Sequence, residues 1–348
     1  MKAHFLQPFA HDFVSPFVRE VRRRWPEATF GFGALPALNY RKRVRLYFVD
    51  WPRLLWFALK AGRRAFAGGA RPDVVVASSH LEVIGLALAR VIYRQPVPIV
   101  LIGFIFTPRA SALEDTMRRA YFQAVLGRAR AVVCFSSHEA QRYRSVFHLK
   151  KTEFISVPYG QHVWDPGPPK VSGTSYVLSA GRSGRDYALL GTVFATLPYE
   201  LHIICDAEDA LRGLRLLPNV SVLHQCYAKE YLEQIAGAEL VVIPLKDNDI
   251  SAGQMVLLQA MALGKAVVIT RTPTTEEYGK HLETLYFVER GSMEDLAQAI
   301  MHLKRDARLR ASIARKAREH FQERYSMGAF VQHLLDAIDG VLSRDMTN

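Results

Sequence analysis

The sequence predicts an α/β chain of two Rossmann-like halves, each a parallel sheet covered by helices on both faces. Three observations predict it. Short apolar runs alternate with helix-period stretches along the whole chain: VVVAS (74–78), VPIVLIGFIF (97–106) and AVVCFS (131–136) in one half, SYVLSA (175–180), LHIIC (201–205), LVVIP (240–244) and AVVIT (266–270) in the other. A length of 348 residues exceeds what a single core usually holds. Residues 240–270 also read as one complete βαβ unit. A buried strand ends at Pro244, a polar loop follows, and Val256, Leu257, Ala260, Met261 and Leu263 make a largely buried helix that Gly264 ends before a second buried strand.

In chain order, His4–Gln7 reads as a first strand and Phe17–Trp25 as a basic helix. The loop between them carries His11 and Asp12 at the carboxyl edge of the sheet, where open α/β sheets bind ligands, so both are candidate catalytic groups. Otherwise Asp12 caps a turn. Arg41–Arg64 is an amphipathic stretch. Trp51, Leu54, Leu55, Phe57, Ala58 and Ala61 can share one helix face while Arg53, Lys60, Arg63 and Arg64 take the other. That pattern suits contact with an anionic membrane surface, or equally a surface helix packed on its own domain. The strand at 74–78 leads into Ser78, Ser79 and His80, and His80 is the third candidate base. A helix over 81–93, a strand over 98–106, a basic helix over 117–130, a strand over 131–136 and a helix opened by Ser137 complete the first half. Trp164–Gly173, rich in Pro and Gly, reads as the linker.

The second half opens with the strand at 175–180 and the loop Gly181-Arg182-Ser183-Gly184-Arg185. Arginine offers forked donors that match phosphate, and the flanking glycines let the chain wrap. In the βαβ unit, the free N–H groups around Gly253, Gln254 and Met255, with the helix dipole, form an anion site. Asp247-Asn248-Asp249 has a D-x-D form seen in metal–nucleotide sites. With a helix terminus and two arginines available to neutralise an anion, the expectation here is no metal.

The stretch 251–268 resembles the C-terminal motif of GT-B-fold glycosyltransferases, family 4 (group 1) in particular, read EGFG-x-x-x-LEAMA-x-G-x-PVV. Gly253, Leu257, Leu258, Ala260, Met261, Ala262, Gly264, Val267 and Val268 match, while Ser251 and Gln259 stand at the two glutamates of E-x7-E. Ile155–Gly160 resembles the family's IPYG crossover, and the loop at 181–187 its G-R-x-x-x-x-K-G, with Arg182 matching and the lysine absent. The resemblance implies a GT-B fold, with two Rossmann-like domains facing across a cleft. The N-terminal, acceptor-binding domain is expected over 1–163, the last helix (328–348) packs back on it, and the C-terminal, nucleotide-sugar-binding domain covers 164–327.

It implies a Leloir hexosyltransferase, retaining in most of the family, that moves a sugar from a UDP- or GDP-sugar to a saccharide or lipid-linked acceptor in polysaccharide or glycolipid synthesis. Donor contacts would come from Arg182, Arg185, Asp249, Ser251, Gly253, Gln254, Met255 and Gln259. Tyr227 lies where relatives read the base, and Asp249 is placed to stand in for the missing first glutamate. No cofactor beyond the donor is implied. With both glutamates replaced, the alternative is a catalytically degenerate relative that binds a nucleotide or docks a partner at the membrane.

Charge is one-sided. Residues 1–165 carry 25 Lys and Arg against 11 Asp and Glu, residues 166–348 carry 20 against 22, and the chain as a whole is at +12. An anionic lipid surface suits the first half, and without a recognition motif nucleic acid is excluded as a partner. Cys134, Cys205 and Cys226 show no metal spacing. With no signal-peptide pattern over Met1–Trp25 and no run long enough to span a bilayer, the expected place is the cytoplasm, peripheral at the inner face of the membrane.

Overall fold

The structure, a computed structural model, describes residues 1–9, 14–35, 46–67, 71–108, 111–167, 175–246 and 251–346. The chain divides into two compact units, Met1–Pro158 with Phe330–Asn348, and Tyr159–Ala329.

Unit 1 runs β1 (Ala3–Phe9), α1 (Val14–Arg24), β2 (Thr29–Leu35), a π-helical turn at Leu46–Asp50, α2 (Trp51–Ala67), β3 (Val74–Ala77), α3 (His80–Ile92), β4 (Ile99–Ile102), α4 (Ala112–Leu126), β5 (Ala131–Cys134), α5 (Ser137–Phe147) and β6 (Glu153–Ser156). All strands pair in parallel, in the order β2-β1-β3-β4-β5-β6. Every residue of β3 and β5 is buried, as a central strand with helices on both faces requires. The strand expected over 98–106 stops at Ile102, because Gly103 takes φ +76°. The helix expected over 117–130 covers Ala112–Leu126, with Ser111 as its cap.

The apolar face of α2 is spent inside unit 1. Leu54, Ala58 and Ala61 are buried. Its partner is α3, and the two helices meet at small residues: a Cβ on Gly85 would lie 2.6 Å from Ala58 Cβ, and one on Gly62 2.7 Å from Ala89 Cβ. The packed-helix reading of this stretch therefore accounts for that face. Phe48, Trp56, Arg53, Lys60, Arg63 and Arg64 stay exposed, and residues 41–45 lie outside the described part. Among the described residues no helix is long and apolar enough to cross a membrane.

Unit 2 runs β7 (Tyr176–Ala180), α6 (Tyr187–Phe194), β8 (Glu200–Ile204), α7 (Glu208–Leu211), β9 (Val220–Leu223), α8 (Ala228–Gly237), β10 (Leu240–Ile243), α9 (Gln254–Ala262), β11 (Ala266–Thr270), β12 (Tyr286–Val288), α10 (Met293–Arg305) and α11 (Ala307–Arg324). The parallel order is β12-β11-β10-β7-β8-β9, which is the doubly wound Rossmann arrangement. The last helix, α12 (Met327–Met346), supplies the final residues of unit 1. Leu334, Leu335, Ile338 and Val341 on it are fully buried, following its helical spacing.

Strand order reverses between β1 and β3 in unit 1 and between β7 and β10 in unit 2. Those two points, at the carboxyl ends of the strands, are where connecting loops diverge and leave a crevice.

Candidate functional site

At the switch point of unit 2, the loop after β7 is pinned to the loop after β10. Asp186 N donates to Pro244 O at 3.0 Å and Lys246 N to Gly184 O at 2.9 Å. The Tyr187 hydroxyl donates to Gly181 O at 2.6 Å, and Asp186 caps α6 by accepting from Leu189 N at 3.2 Å. Inside this frame lies Arg185, only 5% exposed. Its Nε donates to Ala180 O and its Nη1 to Ser183 O, both at 2.9 Å. No carboxylate within salt-bridge distance accompanies it among the described residues, and burial lowers its pKa. Tyr231, beside it, is pushed up to about 12 by burial.

Two glycines make room for this guanidinium. At Gly181 (φ +110°) a Cβ would fall 2.5 Å from Arg185 Nη2. At Gly253 (φ +85°) a Cβ would fall 3.0 Å from Ile243 Cγ2 and 3.6 Å from Arg185 Nη1. The buried charge therefore sits against the first turn of α9, whose N-terminus carries a partial positive charge of its own. Gly253 is the N-cap of α9 and offers no capping side chain, so the first N–H groups of the helix are left open to a ligand.

The α9 residues divide by role. Gln254 is buried, and its Nε2 has no hydrogen-bond partner. Met255 is exposed, while its carbonyl accepts from Gln161 Nε2 at 2.8 Å. Gln161, 4% exposed, is in turn tied to the Tyr325 carbonyl through its backbone N–H at 3.0 Å. Gln259 is half-buried, and its Oε1 lacks a partner. Ser251 is half-buried at the loop end, and Gly264 (φ +64°) follows the helix.

Arg182 is exposed, and its charge acts on Asp206 at the tip of β8. There Asp206 accepts from the Tyr227 hydroxyl and from Gln225 N at 2.7 Å. The Tyr227 hydrogen bond, then that of Gln225, with smaller help from His224 and Arg182, holds the Asp206 carboxyl below its ordinary range. Tyr227 presents an exposed ring. Arg290, after β12, donates to Lys246 O at 3.2 Å and adds a cation to the same edge. Gln161, Asp206 and Arg290 were not singled out from sequence. Asp206 stood at a strand tip, a position that marks this edge, whereas Gln161 and Arg290 arrive from distant segments with no local signature.

Of the proposed bases, His11 and Asp12 lie outside the described residues, as does Asp249. His80 stands at the switch point of unit 1, with its ring packed edge-on against Trp51, Tyr121 and Phe122 at 5.4–5.9 Å between centroids. Burial drives its pKa down to about 4, so it is neutral at pH 7. Beside it Glu82 is fully buried and accepts from Ser78 N at 2.6 Å, Ser79 N at 3.2 Å and Ser78 Oγ at 3.2 Å. Burial outweighs those hydrogen bonds and raises its pKa to about 7. The Ser79-x-x-Glu82 spacing of a capping box is the signal that could have found it.

Comparison with known proteins agrees with this fold. Residues 206–320 match the family model described as glycosyl transferases group 1. No curated protein matches the sequence. Among solved structures, sucrose-phosphate synthase from Thermosynechococcus elongatus superposes with a TM-score of 0.72 at 15% identity, over 99% of this chain and 100% of that one. Anabaena Alr3699/HepE in complex with UDP and glucose gives 0.67 at 16% identity, over 98% and 100%. A glycosyltransferase from Rickettsia africae ESF-5 gives 0.67 at 13% identity, over 98% of each. The resemblance to group 1 glycosyltransferases of GT-B fold is borne out.

Proposed function

We propose that the protein transfers a sugar from a nucleoside diphosphate donor, with the diphosphate lying on the Gly181–Arg185 loop and the open N-terminus of α9. The observation that carries this reading is the Arg185 guanidinium. It is buried, has no carboxylate partner among the described residues, and abuts a second positive pole at Gly253. A buried charge left uncompensated is costly, and a bound anion removes that cost. Arg185 would act from behind as fixed charge, while the exposed Arg182 reaches the phosphates directly. During transfer, negative charge develops on the leaving diphosphate, where preorganised N–H groups and guanidinium stabilise it without reorganisation.

The remaining donor contacts follow the same logic. Gln259 would hydrogen-bond the ribose with its unpartnered amide oxygen accepting, and Gln254 would offer its free N–H. Tyr227 gives the base a face to stack on. The acceptor would meet unit 1 near Ser78–His80, with His80 neutral and able to accept a proton, and His11 or Asp12 as the other candidate bases. The acceptor class is saccharide or lipid-linked, in polysaccharide or glycolipid synthesis. Phe48, Trp56 and the cations of α2 would provide a peripheral membrane contact at the inner face. Group 1 relatedness favours retention of configuration.

Calorimetry with UDP and GDP, followed by a donor-hydrolysis assay, tests the reading. Arg182→Ala should weaken nucleoside-diphosphate binding about 10- to 100-fold, since a hydrogen bond to a charged group contributes roughly 1.5–3 kcal/mol. Unchanged affinity would remove Arg182 from the phosphate site. Nucleotide binding without turnover of any sugar donor would favour the degenerate, non-catalytic alternative.

A further inference from the structure

Unit 1 contains a cavity away from its own switch point. It has a volume of about 930 Å3 and opens at the amino edge of the sheet, among the segments that lead into its strands. Asp73 precedes β3, Pro96 and Pro98 lead into β4, Gly127–Arg130 precede β5, and Lys151 precedes β6. Ser78–His80 lie at the opposite end of β3, a strand's length away, or ~13 Å for four residues.

The lining is unbalanced in charge. Among the described residues that line it, Arg90, Arg128, Arg130 and Lys151 face two carboxylates, Asp73 and Asp339. Those carboxylates do not neutralise the cations. Asp73 accepts from the backbone N–H of Lys2 at 2.8 Å, and the cations that act on Asp339 are Arg24 and the amino terminus, against a burial that raises its pKa on balance. Arg130 is spent on Glu153 at 2.7 Å. Arg90 and Arg128 have no acidic partner among the described residues, and each lies within the other's field; burial first, and then Arg128, lowers the Arg90 pKa. Both sit at helix ends, Arg90 in the last turn of α3 and Arg128 just past α4. A helix C-terminus favours a nearby cation, and no carboxylate among the described residues takes up the guanidinium donors. Beside them Trp25, Pro96, Pro98 and Leu342 form an apolar wall.

We infer that this cavity is a second anion site, taking a phosphate ester whose phosphate meets Arg90 and Arg128, with Lys151 at the rim, and whose organic part rests on the Trp25 and proline wall. Two forked cations side by side match a dianionic phosphate, and the apolar wall gives the organic part a place that inorganic phosphate alone leaves empty. Lying at the opposite edge from Ser78–His80, such a ligand acts on unit 1 as an effector and does not enter the transfer reaction.

The test is a thermal-shift and calorimetric titration of the full chain with pyrophosphate at low salt, with UDP held at saturation so that the donor site is occupied. The wild type should gain stability as pyrophosphate rises. Arg90→Gln/Arg128→Gln should weaken that binding tenfold or more, and Arg128→Gln alone, at an exposed position, should weaken it without affecting the fold. UDP affinity should not change in either variant. Vesicles containing phosphatidic acid, with phosphatidylcholine vesicles as control, separate the sources: competition with pyrophosphate assigns the site to a lipid headgroup, and no competition to a soluble phosphate ester. Absence of any pyrophosphate effect in the wild type, or an effect that both variants retain in full, overturns the inference.

Discussion

The two switch points share a topology and differ in electrostatics. In unit 2 the loop after β7 buries a guanidinium between two glycines and leaves the N-terminus of α9 uncapped. In unit 1 the loop after β3 buries a histidine that is neutral at pH 7 and a carboxyl whose pKa is raised to about 7, and caps its helix with Ser79 and Glu82 in a reciprocal box. One crevice concentrates positive charge at the buried Arg185 and the uncapped helix N-terminus. The other has satisfied its own helix terminus, and burial there works against charge on both titratable groups. Parallel sheets thus fix where ligands go, while the cap residue at the next helix decides what kind of ligand is wanted.

The sharpest way to break this contrast is at Gly253. Gly253→Ala puts a Cβ 3.0 Å from Ile243 Cγ2 at φ +85°, against the space that holds Arg185. Gly291→Ala imposes a similar backbone penalty at φ +75° with nothing within 4 Å. Both variants should lose about 1–2 kcal/mol of stability in denaturant unfolding from the left-handed backbone alone. Only Gly253→Ala should also lose UDP binding, by about 100-fold or more. Equal UDP affinity in the two would mean that the first turn of α9 is not the anion site. Next in size is Arg185→Met, which keeps the stem and removes the charge. It leaves the Ala180 and Ser183 carbonyls without their donors, at a cost of about 1–3 kcal/mol. Nucleoside diphosphate binding should weaken at least tenfold, with a shallower salt dependence. A variant that binds as tightly as the wild type would show the buried charge to be purely structural.

Much of this was legible in the sequence because buried parallel strands and glycine-bordered helices carry local signatures. The described residues of 240–270 folded as read, with β10 over Leu240–Ile243, α9 over Gln254–Ala262, Gly264 left-handed behind it and β11 over Ala266–Thr270. β2 escaped notice because TFGFGAL alternates glycine with apolar residues and offers few β-branched positions. The face of α2 was ambiguous because an amphipathic stripe looks the same whether lipid or a neighbouring helix covers it. What distinguishes the two is Gly62 and Gly85, whose missing side chains let α2 and α3 approach. The twist at Arg185 was hidden for a different reason. Spacing showed two arginines in a glycine loop, but only the three-dimensional path reveals that one is buried and binds its own backbone while the other stays in solvent.

The smallest expected effect concerns the unit 1 side of the comparison and is read in pH. Glu82 has its pKa raised to about 7 in the folded chain against an ordinary 4.5, so its stabilising contribution is complete below about pH 4.5 and is lost as pH rises through 7. His80 runs the other way. Its pKa is lowered to about 4, so its contribution is complete above its ordinary 6.5 and is lost as pH falls towards 4. The two oppose each other between about pH 4.5 and 6.5, and above pH 6.5 only the Glu82 loss remains. Glu82→Gln keeps an acceptor for Ser78 N and Ser79 N but cannot ionise. Its melting temperature should therefore stay flat from pH 6.5 to 8.5, where that of the wild type falls, as the last ~1 kcal/mol of the Glu82 contribution is lost, and levels off above about pH 8. Parallel curves for the two proteins would mean that Glu82 is ionised throughout this range. The first crevice would then hold a buried negative charge opposite in sign to Arg185.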